Sequence, residues 1–206
     1  YTPTHTLSLH DALPISAGLF HVMTHAFFKG LLFLAAGSVI HGMHEVQNIK
    51  QMGGLKKYMP VTYKTFFVGT LAIAGIPLFA GFFSKDEILW YTFSQGSFVL
   101  WDILAVAAIF TEFYMFRLLN LTFEGKERFK PEKVKPHESP KTMTFVLIAL
   151  AVLSAFGGFL NIPYVLGFWF SDHPALLHSF LEPIFTDAKN ILHIAPSHAL
   201  HAEEYI

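Results

Sequence analysis

Residues 17–40 read as one apolar helix that nevertheless carries His21, His25 and Lys29. A helix of that length crosses a hydrocarbon layer of about 30 Å with room for some tilt. At about 100° per residue, steps of four put His25 and Lys29 roughly 40° and 80° round from His21. The three groups form a ladder along about 12 Å of helix axis. A cation near the middle of a bilayer costs about 2.5–3.5 kcal/mol even on lenient insertion scales, so it normally faces a protein interior or a water-filled path. The ladder therefore points to movement of protons or ions.

Composition agrees with a membrane class. Only 14% of the 206 residues are charged and 53% are hydrophobic, with a mean hydropathy of +0.46; soluble domains carry about 25% charged residues. A net charge of -1 gives no basic character suited to nucleic acid. Cysteine is absent, so neither disulfides nor thiolate-bound iron–sulfur clusters belong to this sequence, and an electron carrier would sit in another subunit. No glycine-rich phosphate loop of either common pattern occurs.

Along the chain, residues 1–16 break the pattern that follows. They lack the basic start and apolar core of a signal peptide, and Ser8 to Ile15 resembles translated sequencing adapter, so this segment is expected to be non-native, with no role for His5, His10 or Asp11. In the first span, Gly30, Ala35, Ala36, Gly37 and Ser38 offer a small surface for a neighbouring helix. Residues 41–60 are a polar connection. The apolar stretch 61–95 is too long for one straight span, and Gly75, Pro77 and Gly81 near its middle predict a helix broken around 75–81. Irregular backbone at membrane depth is tolerated only beside protein or water, and broken helices recur at ion sites. Just after the break come Ser84, Lys85, Asp86 and Glu87, which makes Lys85 the second intramembrane lysine. A third span is expected at 98–120 and a fourth at 142–162, joined by a solvated loop at 124–141. Glu112 and Arg117 in the third span are five apart, too far round the helix to pair. The tail, 164–206, is interrupted by prolines and is expected to lie at the interface on the extracytoplasmic side. Its His173, His178, His193, His198 and His201 lack regular spacing and read as surface.

Lys50, Lys56 and Lys57 in one loop and Lys126, Arg128, Lys130, Lys133, Lys135 and Lys141 in the other contrast with a tail carrying only Lys189. Four spans put both basic loops on one side, and the positive-inside rule makes it the cytoplasm.

His21 and His25 could be metal ligands. No carboxylate shares their face and Lys29 would repel a cation, so no metal is expected. Each histidine singly could be a packed residue with satisfied hydrogen bonds. Three ionisable groups in one membrane stripe favour a relay. Lys85 could cap a span ending near Phe83, but the apolar continuation from Ile88 to Phe93 argues against this. A desolvated lysine can take and release protons near neutral pH.

The runs His-Val-Met-Thr-His-Ala-Phe-Phe-Lys-Gly-Leu-Leu-Phe (21–33), Met-Gly-Gly-Leu-Lys-Lys (52–57), Ala-Gly-Ile-Pro-Leu-Phe-Ala-Gly-Phe-Phe-Ser-Lys-Asp-Glu-Ile-Leu (74–89) and Phe-Tyr-Met-Phe-Arg (113–117) strongly resemble the antiporter-like L-subunit (chain 5) family of bacterial respiratory complex I, NADH:quinone oxidoreductase. The resemblance implies an all-α integral membrane protein, here a partial antiporter-like bundle of about four transmembrane helices, one discontinuous, from the second of two inverted repeats. The first repeat, the long lateral helix and the final anchor helix have no counterpart in this sequence. It implies proton translocation through a relay of His21, His25, Lys29, Lys85 and Asp86, with Glu87, Glu112 and His41 as secondary candidates. FMN, iron–sulfur clusters and quinone are expected in partner subunits, and an adjacent antiporter-like subunit and the lipid bilayer as partners, in the bacterial inner membrane. Glu112 departs from the family pattern, which has a small or neutral polar residue there. The alternatives are the large subunit of a multi-subunit Na⁺/H⁺ antiporter, which would need no NADH, and a membrane subunit of a hydrogenase-type complex.

Overall fold

The computed structural model describes residues 9–129 and 134–162, with residues 180, 181 and 183. The five tail histidines lie outside them. The described residues form five α-helices: α1 (Leu9–Gly42), α2 (Pro60–Ala74), α3 (Ala80–Ser94), α4 (Phe98–Phe123) and α5 (Lys141–Phe156), the last followed by a 3₁₀ turn at Gly157–Leu160. Helix α1 begins at Leu9, so it runs back across the expected boundary at residue 17.

Among the described residues, three helices are long and apolar enough to cross a membrane: Ile15–Gly42, Phe98–Phe123 and Lys141–Leu160. The expected span at 61–95 is two helices of 15 residues each. Either alone rises about 22 Å, short of the roughly 30 Å hydrocarbon layer.

A core of Phe28, Leu31, Leu32 and Ala35 from α1, Phe66 and Ile73 from α2, Met115 and Leu119 from α4 and Leu147 from α5 holds the bundle. The stripe of small residues on α1 is only partly used. Ala35 and Ser38 are fully buried, and Gly30 faces Leu150 of α5, whereas Gly37 has open space beside it. Gly69 makes the closer approach: a Cβ there would stand 2.9 Å from Leu32 and 3.1 Å from Leu31. Helix α4 is the least covered, and Val99, Ile103, Phe110 and Phe113 on it are more than half exposed, a surface suited to lipid or further membrane helices.

The two basic loops meet at one end of the bundle. Lys56 pairs with Glu124 at 3.1 Å and Lys57 with Glu127 at 3.5 Å. The Gly54 amide donates to the Glu124 carbonyl at 3.1 Å, and Arg128 donates to the carbonyls of Ile49, Lys50 and Leu121. At the same end the start of α2 has an unusual cap. Its N-cap residue Met59 offers no side-chain acceptor and Pro60 has no N–H. The first free donors, Val61 N–H and Thr62 N–H, both go to Glu138 Oε2, at 2.7 and 3.3 Å. Thr62 Oγ1 donates to Glu138 Oε1 at 2.6 Å, and a buried Ser38–Thr62–Ser139 hydroxyl cluster, at 2.7 and 2.6 Å, ties α1 to the same point. A carboxylate from the loop before α5 thus satisfies the orphan donors of α2 and complements its dipole.

Replacing Glu138 by Ala is expected to cost about 1–3 kcal/mol, since two helix-end donors lose their acceptor. Thermal unfolding in detergent reads the loss, and Glu138→Gln should recover part of it. A second expectation concerns pH. The Glu124 carboxyl is held below its ordinary value of 4.5, first by the hydrogen bond from Tyr63 and then by Lys56. The Lys56 ammonium is held above 10.5, chiefly by its hydrogen bond to Glu124. The contribution of Glu124 is complete above 4.5 and lost as pH falls through its lowered value; that of Lys56 is complete below 10.5 and lost as pH rises through its raised one. Amide exchange in the Gly54 segment should accelerate on acidification below 4.5, and a Glu124→Gln protein should lack that step.

Candidate functional site

Helix α2 ends because of Gly75. Its φ of 78° is left-handed, its N–H bonds back to Ala72 and Leu71, and Ile76 N–H reaches the Leu71 carbonyl at 3.2 Å. This is a Schellman closure, and glycine adopts it at no steric cost. A tight turn follows, with Phe79 N–H on the Ile76 carbonyl at 3.1 Å. Pro77 takes the turn position that suits its fixed φ, and Leu78 the next one, at a φ of 76°. A leucine in the left-handed region costs about 1–2 kcal/mol. The break therefore spans residues 75–79, and Gly81 is not part of it. Gly81 lies in the first turn of α3, where a Cβ would collide with the Ala72 carbonyl. Its function is close approach of α3 to the end of α2, not conformational freedom.

Lys85 reaches back over this break. Its Nζ donates to the Ala74 carbonyl at 2.9 Å, one of the carbonyls left unpaired at the C-terminus of α2, where the helix dipole favours a cation. A Cβ on Gly75 would stand 2.9 Å from both Cε and Nζ of Lys85. Gly75 therefore ends the helix and also makes room for the ammonium. The ion-pair partner of Lys85 among the described residues is Glu112 of α4, at 3.5 Å. Asp86, the sequence neighbour, is exposed on the side of α3. Glu87 is half-buried and its Oε2 has no hydrogen-bond partner among the described residues.

The ladder on α1 divides. The buried stripe of the helix runs through Ala17, Phe20, Thr24, Phe28, Leu31 and Ala35, close to the ideal helical period. A four-residue step gains about 40° on it each time, so the ladder walks off the core. His21 is turned inward; its Nδ1 shares a 3.0 Å hydrogen bond with Ser84 Oγ. His25 is exposed and Lys29 half-exposed on the side this chain leaves open. The rings of His21 and His25 are 5.7 Å apart, and Phe28 packs against both. His21 is close enough to Lys85 and His25, and His25 to Lys29, for their charges to interact. His41 lies apart at the far end of α1, edge-on to His137 at 5.6 Å.

Thr24 and Ser84 are the residues that spacing arguments passed over. Both are fully buried. Thr24 Oγ1 donates to Ser84 Oγ at 2.8 Å, and Ser84 Oγ donates to the Ala80 carbonyl at 3.1 Å. They join the ladder on α1 to the helix that carries Lys85, at the residue just before it. Their signal in the sequence is polarity within an apolar stretch, which hydroxyls bonding to their own helix also explain. Among the described residues no group of three or more potential ligands is arranged to hold a metal.

Among the described residues, an all-helical bundle with a broken helix, a lysine lying over the break and a histidine of α1 bonded to the helix that carries it has the arrangement of an antiporter-like membrane domain. A family model described as NADH:quinone oxidoreductase/Mrp antiporter, TM, matches residues 6–111, and the chain belongs to that family. It is 51% identical over 176 residues to NAD(P)H-quinone oxidoreductase chain 5 of Picosynechococcus sp., covering 72% of this chain and 26% of that protein. It is 41% identical over 212 residues to NADH-quinone oxidoreductase subunit L of Neisseria meningitidis serogroup B, covering 91% and 31%. Among solved structures it resembles a chain of the Mrp complex from Dietzia sp., with a TM-score of 0.63 at 22% identity over 89% of this chain and 40% of that one. It also resembles a chain of the archaeal membrane-bound sulfane sulfur reductase, with a TM-score of 0.66 at 25% identity over 89% and 33%. The chain thus spans about a quarter to a third of the length of the curated relatives it matches.

Gly75→Ala is expected to strain the helix end by about 1–2 kcal/mol and to push the Lys85 ammonium off the Ala74 carbonyl. Lysine-directed labelling of the folded protein should then be faster than in the wild type, while an alanine at Gly37, where there is open space, should leave it unchanged.

Proposed function

We propose that this chain is the membrane part of a proton-translocating, antiporter-like subunit of an NADH:quinone oxidoreductase. Protons move along Lys29, His25 and His21, cross to α3 through the Thr24 and Ser84 hydroxyls, and are handed to Lys85 over the helix break. The observation that carries this reading is the His21–Ser84 hydrogen bond of 3.0 Å, which links the ladder to the lysine-bearing helix inside the membrane. Hydroxyls and imidazoles both donate and accept, which a proton relay requires of each station. Lys85 donates to the Ala74 carbonyl at the end of α2, which holds its ammonium over the break within reach of the α1 stations. Asp86, exposed on α3, would modulate the field there.

Redox chemistry, with flavin, iron–sulfur clusters and quinone, belongs in this reading to partner subunits, and an adjacent antiporter-like subunit covers the open side where His25 and Lys29 emerge. The protein sits in the bacterial cell membrane as a multi-pass subunit, with the joined loops 41–60 and 124–141 in the cytoplasm by their lysine and arginine excess. A multi-subunit Na⁺/H⁺ antiporter is the second reading, favoured by the family description and by the fold shared with the Mrp structure. The higher identities to quinone oxidoreductase subunits favour the first.

In membrane vesicles holding the assembled complex, Lys85→Ala is expected to lower NADH-driven proton pumping while part of the quinone reduction remains. Pumping equal to the wild type would overturn the relay. A wild-type complex that exchanges sodium for protons without NADH would decide for the second reading.

A further inference from the structure

We infer that Glu112 is the next station of the relay after Lys85, so that the proton leaves α3 for α4 instead of continuing along α3. The inference rests on the relay reading above and on three observations that it does not use. Glu112 Oε1 lies 3.5 Å from Lys85 Nζ, across the interface of two helices. Glu112 lies near the middle of the 26-residue α4, on the inward-turned stripe it shares with Ala108, Met115 and Leu119. Its side chain is nevertheless 44% exposed, against 21% for Lys85, so the pair is closed at the lysine and open at the carboxylate.

A carboxylate at that depth with nearly half its surface uncovered cannot be left against lipid tails; it must meet water or polar protein on its open side. Arg117, five residues on, points away to the exposed side of α4 and does not compensate it. Lys85 therefore has a cation-holding carbonyl on one side and a proton acceptor with access to a polar space on the other. The step is a single proton transfer: the Lys85 ammonium gives one proton to the Glu112 carboxylate, leaving a neutral amine and a neutral acid, and the acid releases it to water on its open side. No electron changes hands.

The test uses the assembled complex in vesicles, with proton pumping and quinone reduction measured together for Lys85→Ala, Glu112→Gln, Glu112→Asp and the double variant Lys85→Ala/Glu112→Gln. Pumping in Glu112→Gln should fall to the level of Lys85→Ala, the double should fall no further, and Glu112→Asp should recover part of the loss, a rescue that a packing role would not give. Wild-type pumping in Glu112→Gln, with Lys85→Ala impaired, overturns the role of Glu112 and leaves the relay standing. Wild-type pumping in Lys85→Ala overturns both. Should Glu112→Gln reduce the amount of assembled complex, the double Lys85→Met/Glu112→Gln leaves no unpaired charge and should restore assembly but not pumping; a double no better assembled than the single overturns the pairing.

Discussion

The structure depends on how the end of α2 is satisfied. A helix that stops inside a packed bundle leaves carbonyls short of donors, and each one left buried and unpaired costs several kcal/mol. Here the Ala72 and Leu71 carbonyls accept from the Gly75 and Ile76 amides, and a third, on Ala74, from an ammonium of the next helix. Lys85 is thus a structural part of the break as well as a titratable group. Removing its proton weakens both its hydrogen bond to Ala74 and its ion pair with Glu112, so protonation and the packing of α3 on α2 and α4 are tied together.

The opposite end of the bundle is held differently. Where α2 begins, its free amides are taken by Glu138 from a distant loop, and the Ser38–Thr62–Ser139 hydroxyls lock α1 to the same place. The loop ion pairs beside them are half-exposed and are expected to add little stability; their value is in fixing which loops lie together. The result is an end tied together at the basic loops and, between α2 and α3, a turn strained at Leu78. Strain kept at a site that positions an ionisable side chain is typical of functional backbone.

Much of this was legible in the residues. Apolar run length marks the spans, and the glycine and proline near residues 75–77 mark where a helix of 35 apolar residues must fail. What the sequence did not separate was the reason for each glycine. Gly75 carries a left-handed φ, and Gly81 only makes room for a carbonyl; both look alike as letters. Nor does local pattern announce Leu78, because nothing about a leucine signals a left-handed backbone. Glu112 was an unexplained departure from the family pattern, since its partner is 27 positions away in the sequence and pairing across helices follows from packing. Ser84 and Thr24 were hidden for the same reason: each bonds within its own helix, and only tertiary contact shows that they also bond to each other.

The ladder on α1 shows what a small mismatch of periods can achieve. Ionisable groups spaced by four do not stay above one another on a helix whose buried stripe follows 3.6. Over two steps the charge-bearing edge turns from the interior of the bundle to its flank, so that His21 belongs to this chain's own core and Lys29 to whatever lies alongside. Axial spacing is in this way converted into sideways travel, and a single helix acts as a corner that turns a row of ionisable side chains from one packing surface to another.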